Sequence, residues 1–227
     1  MKYIIRVVFV FVLMSVLLYS IGFSQEQVKK GKGKEEEEIL YVSSPRVIYQ
    51  KNKSILTNAL IKKGDKYTIK AATITYQEKD KVQTAEGSGD VEILMKDATV
   101  TAEQFKFDLN KNTGEIDGDV LFVKTKNGTV TRVKCAHISA DIDKDVYSGY
   151  ATSGKRVEIT KKKWYVLTDN FLMDSPRDKI TLEGHVHIVD TEKNDITDAE
   201  KVIWNTKDDS MVLSNVRMKI HIRKAGK

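Results

Sequence analysis

Apolar and polar residues alternate in short runs along most of the chain, and turn-rich links join the runs. The stretch from Thr101 to Val123 shows the unit most clearly. Glu103-Gln104-Phe105-Lys106-Phe107-Asp108 alternates with the period of a β-strand, Asn110 to Gly114 has turn composition, and Gly118-Asp119-Val120-Leu121-Phe122 opens a second alternating run. This predicts a β-hairpin in which Asn110 to Gly114 only reverse the chain.

The pattern recurs. A small residue followed by an alternating pair appears at Gly89-Asp90-Val91-Glu92-Ile93, Gly118 to Phe122 and Gly184-His185-Val186-His187-Ile188, with looser copies at Arg156 to Ile159 and Asn215 to Ile220. The marker valines Val91, Val120, Val157, Val186 and Val216 follow one another at 29, 37, 29 and 30 residues, a repeat near 30 with one insertion before Val157. A second run in each unit starts at alanine: Ala72, Ala102, Ala136 and Ala199. The links between runs are three to five residues long, as at Asp143-Lys144-Asp145 and Thr206-Lys207-Asp208-Asp209, which suits antiparallel hairpins and is too short for helical crossovers. With Val47 to Ile61 as a degenerate first unit, the expectation is about six hairpins and a dozen strands, all-β and antiparallel.

Alternate residues of a strand face opposite sides, so the marker sorts the faces. Val91 and Ile93, Val120 and Phe122, Val157 and Ile159, Val186 and Ile188, and Val216 with Met218 fall on one apolar face. Ile74 and Tyr76, Phe105 and Phe107, and Ile138 supply that face from the partner strands. Asp90, Glu92, Arg156, Glu158, His185 and His187 fall on the other. Leu121, Phe171-Leu172-Met173 and Val202-Ile203-Trp204 do not sort cleanly.

The N-terminus differs from this body. Residues 1–24 carry Lys2 and Arg6, then an uncharged apolar run from Val7 to Phe23, then Gly22 and Ser24 placed for cleavage after Ser24, which reads as a secretory signal peptide. The alternative is an uncleaved anchor over residues 7–23, close to the minimum spanning length. Both put the body outside the cytoplasm. Residues 25–38 form a charged flexible linker, residues 39–222 the β-domain and residues 223–227 a basic tail.

The formal charge of +6 falls to +4 without Lys2 and Arg6, and basic residues are interleaved with acidic ones, so no basic patch for nucleic acid is indicated. Cys135 is the only cysteine, which excludes an intramolecular disulfide and a CxxC motif. His185 and His187 share one side of a strand as metal ligands can, but no matching ligands lie near them in sequence. Asp141 to Asp145 begins like a calcium loop and fails at Val146 and Thr152, leaving a solvated turn. No nucleophile triad context, phosphate loop or H-E-x-x-H helix occurs, so neither an enzyme nor a cofactor is expected.

Repeats of the form A-x-x-φ-x-φ-D…G-x-I-x-G-D-V-x-φ, seen in Ala102 to Phe122 and again through Ala72 to Ile93, resemble the OstA-like or LptA family of periplasmic lipopolysaccharide-transport proteins. The resemblance implies a V-shaped antiparallel β-jellyroll, or "β-taco", and a non-enzymatic carrier or bridge. Its groove would shelter acyl chains of lipopolysaccharide or a similar lipid. It further implies end-to-end association with itself or with other β-jellyroll transport proteins, and it leaves open membrane-anchored and outer-membrane subfamilies. On that reading the apolar face from Ile74 to Met218 lines the groove. The competing expectation is a closed or solenoidal β-scaffold, an envelope adhesion module binding protein or glycan on its charged face.

Overall fold

A computed structural model describes residues 39–221. The expected signal peptide, linker and basic tail lie outside the described residues. The chain divides into two units, Met1–Glu37 and Glu38–Lys227, and all of the structure below belongs to the second.

The protein is all-β and antiparallel. Its strands are β1 (Leu40–Ser43), β2 (Arg46–Gln50), β3 (Lys53–Lys63), β4 (Tyr67–Lys79), β5 (Val82–Met95), β6 (Ala98–Asp108), β7 (Thr113–Lys126) and β8 (Thr129–Asp141). They continue as β9 (Val146–Tyr150), β10 (Val157–Lys161), β11 (Trp164–Thr168), β12 (Asn170–Asp174), β13 (Lys179–Asp190), β14 (Asp195–Asn205), β15 (Met211–Ser214) and β16 (Arg217–Lys219). One short 3-10 turn, Ser175–Arg177, interrupts them. All sixteen strands belong to a single sheet.

The sequence marker turns out to be a fold line rather than the start of a strand. Gly89-Asp90, Gly118-Asp119 and Gly184-His185 sit in the middle of β5, β7 and β13, each pair facing one residue of a neighbouring strand where the register shifts. These are β-bulges, and a bulge bends its strand. Both residues of each pair have positive φ: Gly118 is at +80° and Asp119 at +38°. Glycine takes this conformation freely, and Asp or His tolerates it better than a branched residue does. Little room remains at these bulges: a Cβ on Gly89 would stand 2.9 Å from that of Ala72, while one on Gly118 or Gly184 would meet Glu103 or Asp169.

The insertion before Val157 has the same role on a larger scale. Residues 151–156 form an open break between β9 and β10, Asp169 separates β11 from β12, and Asn215, at φ +54°, separates β15 from β16. In each case the two pieces pair with different halves of a long strand. β8 gives residues 137–141 to β9 and residues 131–134 to β10, while β13 gives residues 179–183 to β12 and residues 187–190 to β11. The sheet is therefore folded along one line into two layers. The halves ending at the turns near Asn112, Asp143, Arg177 and Asp208 form one layer, and those ending near Asp97, Asn127, Lys162 and Asn194 form the other.

The apolar faces of the two layers meet. The rings of Phe122, on the second layer, and Tyr147, on the first, lie 4.7 Å apart, and those of Tyr67 and Phe107 lie 6.0 Å apart. The stretches that resisted sorting alternate after all: Phe171, Met173, Val202 and Trp204 are buried, while Leu172 and Ile203 face out.

Candidate functional site

The expected groove residues lie on the inner faces of the folded sheet. Ile74, Val91, Ile93, Phe105, Phe107, Val120, Phe122, Ile138, Val157, Ile159, Val186 and Ile188 are each at most 3% exposed. Burying a branched or aromatic side chain contributes about 1.5–3 kcal/mol, so these repeats hold the fold together as well as lining its interior. Tyr76 is half-buried, with its hydroxyl 3.4 Å from Glu78. The last repeat departs from expectation: Val216 and Met218 are 40% and 61% exposed. β16 hydrogen-bonds only to β14, and all three of its residues are exposed, so this edge lies outside the packed interior.

The two long edges of the folded sheet are closed differently. Along the fold line the backbone itself is continuous. Along the opposite edge, the mouth, the layers are joined by side chains. Lys63, Lys124 and Lys161 occupy the inward positions next after Ala59-Ile61, Val120-Phe122 and Val157-Ile159, and all three are buried. Each reaches across to a turn of the other layer. Lys63 Nζ donates to the carbonyl of Leu109 and to Asn112 Oδ1, the latter at 2.8 Å. Lys124 Nζ lies 2.8 Å from Asp145 and 2.8 Å from Asp97. Lys161 donates to the Thr206 carbonyl at 2.8 Å and pairs with Asp209. Lys66 with Asp143 at 2.9 Å, Lys126 with Asp178 at 2.6 Å and Lys162 with Asp209 at 2.7 Å complete the row.

Burying an ammonium is costly unless it is paired, and each of these cations has partners on the far layer. Aromatic faces beneath them help: Lys124 Nζ is 5.6 Å from the centre of the Tyr147 ring, and Lys161 Nζ is 5.3 Å from that of Trp204. Burial alone would raise the Asp143 carboxyl, but hydrogen bonds from Asn112 and Lys66 outweigh it and hold the group below the usual range. Asp209 follows the same rule, with Lys161 and Lys162 as its partners.

Asn112 corrects the expectation that its turn only reverses the chain. It is 1% exposed at φ +54°, takes hydrogen bonds from Lys63 and Tyr67, and gives one to Asp143 at 2.8 Å. The lysine row was equally absent from the expected site, although its signal is plain: the inward alternation of three repeats ends on lysine.

The remaining candidates stay apart. His185 Nδ1 lies 2.7 Å from Asp169 and His187 Nδ1 lies 2.6 Å from Asp198, two separate pairs. Among the described residues no cluster of three or more His, Cys, Asp or Glu could hold a metal. Asp141 to Asp145 is a hairpin turn between β8 and β9. Cys135 is buried on the inner face, and burial pushes its thiol up to about 12. No described helix is long and apolar enough to cross a membrane.

Together these features define an all-β antiparallel jellyroll whose apolar interior is latched along one edge. No family model matches the chain, and no curated protein matches it by sequence. Among solved structures it is similar to LptH of Pseudomonas aeruginosa, described as the LptA homologous periplasmic component of the lipopolysaccharide transport device, at 9% identity and a TM-score of 0.37, covering 82% of this chain and 96% of that one.

Proposed function

We propose that this protein is a non-enzymatic periplasmic carrier that shelters the acyl chains of an amphipathic lipid, of the lipopolysaccharide class, between its two layers. One observation carries this reading. The apolar interior is joined by backbone along the fold line but by side-chain contacts, chiefly the lysine latches, along the mouth, so the mouth can part without breaking a strand ladder. Each methylene taken from water into that interior contributes about 0.8 kcal/mol, and a chain of about ten carbons offsets several latches. The interior is packed in the resting state, so lipid entry requires the layers to separate at the mouth. Exposed apolar residues on the two edge regions, Tyr41 and Tyr49 at one and Val212 and Met218 at the other, suit pairing with a second copy or another jellyroll transport protein.

A photoreactive residue at Phe107 or Val120, compared with one at His185 on the outside, tests the reading in cells. The expected result is lipid attached from the two inner positions and none from the outer one. Equal labelling from His185, or labelling from none, would overturn it.

A second reading follows from the ring contacts across the interior. A sandwich filled as tightly as Phe122 against Tyr147 also suits a permanently closed scaffold that binds glycan or protein on its charged face. The same experiment separates the two, because a closed scaffold yields no lipid adduct from Phe107.

A further inference from the structure

One part of the mouth has a different character from the rest. Between the ends of β7, β8 and β10 on one layer and the turns at Ser175–Arg177 and near Thr206 on the other lies a cavity of about 110 Å³. Lys124, Lys126, Lys161, Lys162, Lys179 and Lys207 line it, and Asp178 is the single carboxylate among the lining residues. Asp97, Asp145 and Asp209 pair with these lysines from just outside, so four carboxylates face six ammonium groups and a net charge of +2 remains. That excess sits on Lys179 and Lys207, which have no ion-pair partner among the described residues.

A second observation points to a ligand. Ser175 also lines the cavity and is 5% exposed, yet its hydroxyl has no hydrogen-bond partner among the described residues. A buried hydroxyl normally has a partner, and its lack is a cost that an incoming acceptor removes. Excess positive charge, a donor in want of an acceptor and space of this size together describe a receptor for a small oxyanion. A carboxylate would satisfy the charge, but a phosphate monoester carries up to two negative charges and three acceptor oxygens, which matches two unpaired ammonium groups and a hydroxyl better.

We infer that this cavity is a binding site for a phosphate monoester, with Lys179 and Lys207 as the charged ligands and Ser175 as the hydroxyl donor. The site sits where the layers are latched, so an occupied phosphate competes with Asp178 and Asp209 for Lys126, Lys161 and Lys162 and loosens the cross-layer pairs. It stands independently of whether the interior receives an acyl chain: the phosphate can belong to a lipid headgroup or to a soluble anion.

The test is titration of the protein with inorganic phosphate, followed by the amide signals of Ser175 and Lys179 in solution NMR. Sedimentation with phosphatidylcholine vesicles, with and without added phosphatidic acid, runs beside it. Lys207 is exposed and Lys179 half-buried, and removing them strands no carboxylate, so the Lys179→Gln/Lys207→Gln variant is expected to keep the parent's thermal midpoint. It should weaken phosphate binding about tenfold or more, as loss of two charge-assisted contacts does, and Ser175→Ala should weaken it several-fold. Vesicle binding that needs phosphatidic acid and is lost in the same variant assigns the site to a lipid headgroup. Phosphate binding without vesicle binding assigns it to a soluble anion. No saturable shift at Ser175, or a shift unaffected by both variants, overturns the proposal.

Discussion

The ammonium of Lys124 and the carboxylate of Asp145 meet 2.8 Å apart across the mouth of the folded sheet, the lysine buried and the aspartate about a third exposed. The asymmetry decides how the pair responds to change. Removing the aspartate side strands a buried cation, whereas removing the lysine side leaves carboxylates that water can reach. Asp97→Ala with Asp145→Ala together should therefore cost about 3–5 kcal/mol of unfolding free energy, and Lys124→Met, which keeps the volume, about 1 kcal/mol or less. Urea denaturation of the three proteins checks this, and equal losses would contradict the assignment of Lys124 as buried.

Glycine at the fold line can be compared with glycine at a turn. Gly118 and Gly128 have similar φ, +80° and +75°, but a Cβ at Gly118 meets Glu103 while one at Gly128 meets nothing within 4 Å. Gly128→Ala should cost about 1 kcal/mol from backbone strain alone, and Gly118→Ala about 2–4 kcal/mol because the bulge must also shift. Chemical denaturation midpoints give both values. A Gly118→Ala protein as stable as Gly128→Ala would mean that the bulge is not what folds the sheet.

In the interior, Phe122 packs on Tyr147 across the layers. Phe122→Ala should lose about 3–5 kcal/mol, the range for an aromatic removed from a packed core. Leu172→Ala, at an exposed position between the buried Phe171 and Met173 of β12, should stay within about 0.5 kcal/mol. Equal effects would place the two side chains on the same face.

The latches also set a pH dependence. Asp143 and Asp209 have carboxyl groups held below their usual range, burial being outweighed by Asn112 and Lys66 in one case and by Lys161 and Lys162 in the other. A group whose folded pKa is depressed contributes stability that is fully present above its unfolded pKa and lost as pH falls through the folded one. The thermal midpoint should hold down to about pH 5 and then drop steadily below about pH 4. Asp209→Asn should flatten part of that drop. A midpoint unchanged down to pH 3 would show that the row does not hold the mouth.

Much of this architecture was legible in the chain, and what was not has a physical cause. The period-2 alternation of Val120-Leu121-Phe122 gave the sidedness correctly, because one register cannot bury both faces. The 30-residue spacing gave the repeat. Gly118-Asp119 was harder: a glycine before a strand and a glycine inside a bulged strand look alike until the partner's register is known, so the fold line read as a strand start. Alternation also says nothing about what covers an apolar face, and Phe107 looks the same whether it lines a groove or meets Tyr67. The latches went unnoticed because the apolar pattern was followed only as far as Phe122 and Ile159, although Lys124 and Lys161 continue the same inward phase. Asn112 was hidden by its turn composition.

The central claim is that the mouth opens to admit an acyl chain, and a distance across it tests this most directly. Spin labels at Asn127 and Arg177, on turns of opposite layers, can be placed in a Cys135→Ala background and measured by double electron–electron resonance with and without purified lipopolysaccharide. The expected result is a longer and broader distance distribution on adding lipid, with no change for a control pair at Lys81 and Asn110, two turns of the same layer. Lipid that binds while the Asn127–Arg177 distance stays fixed would contradict the account.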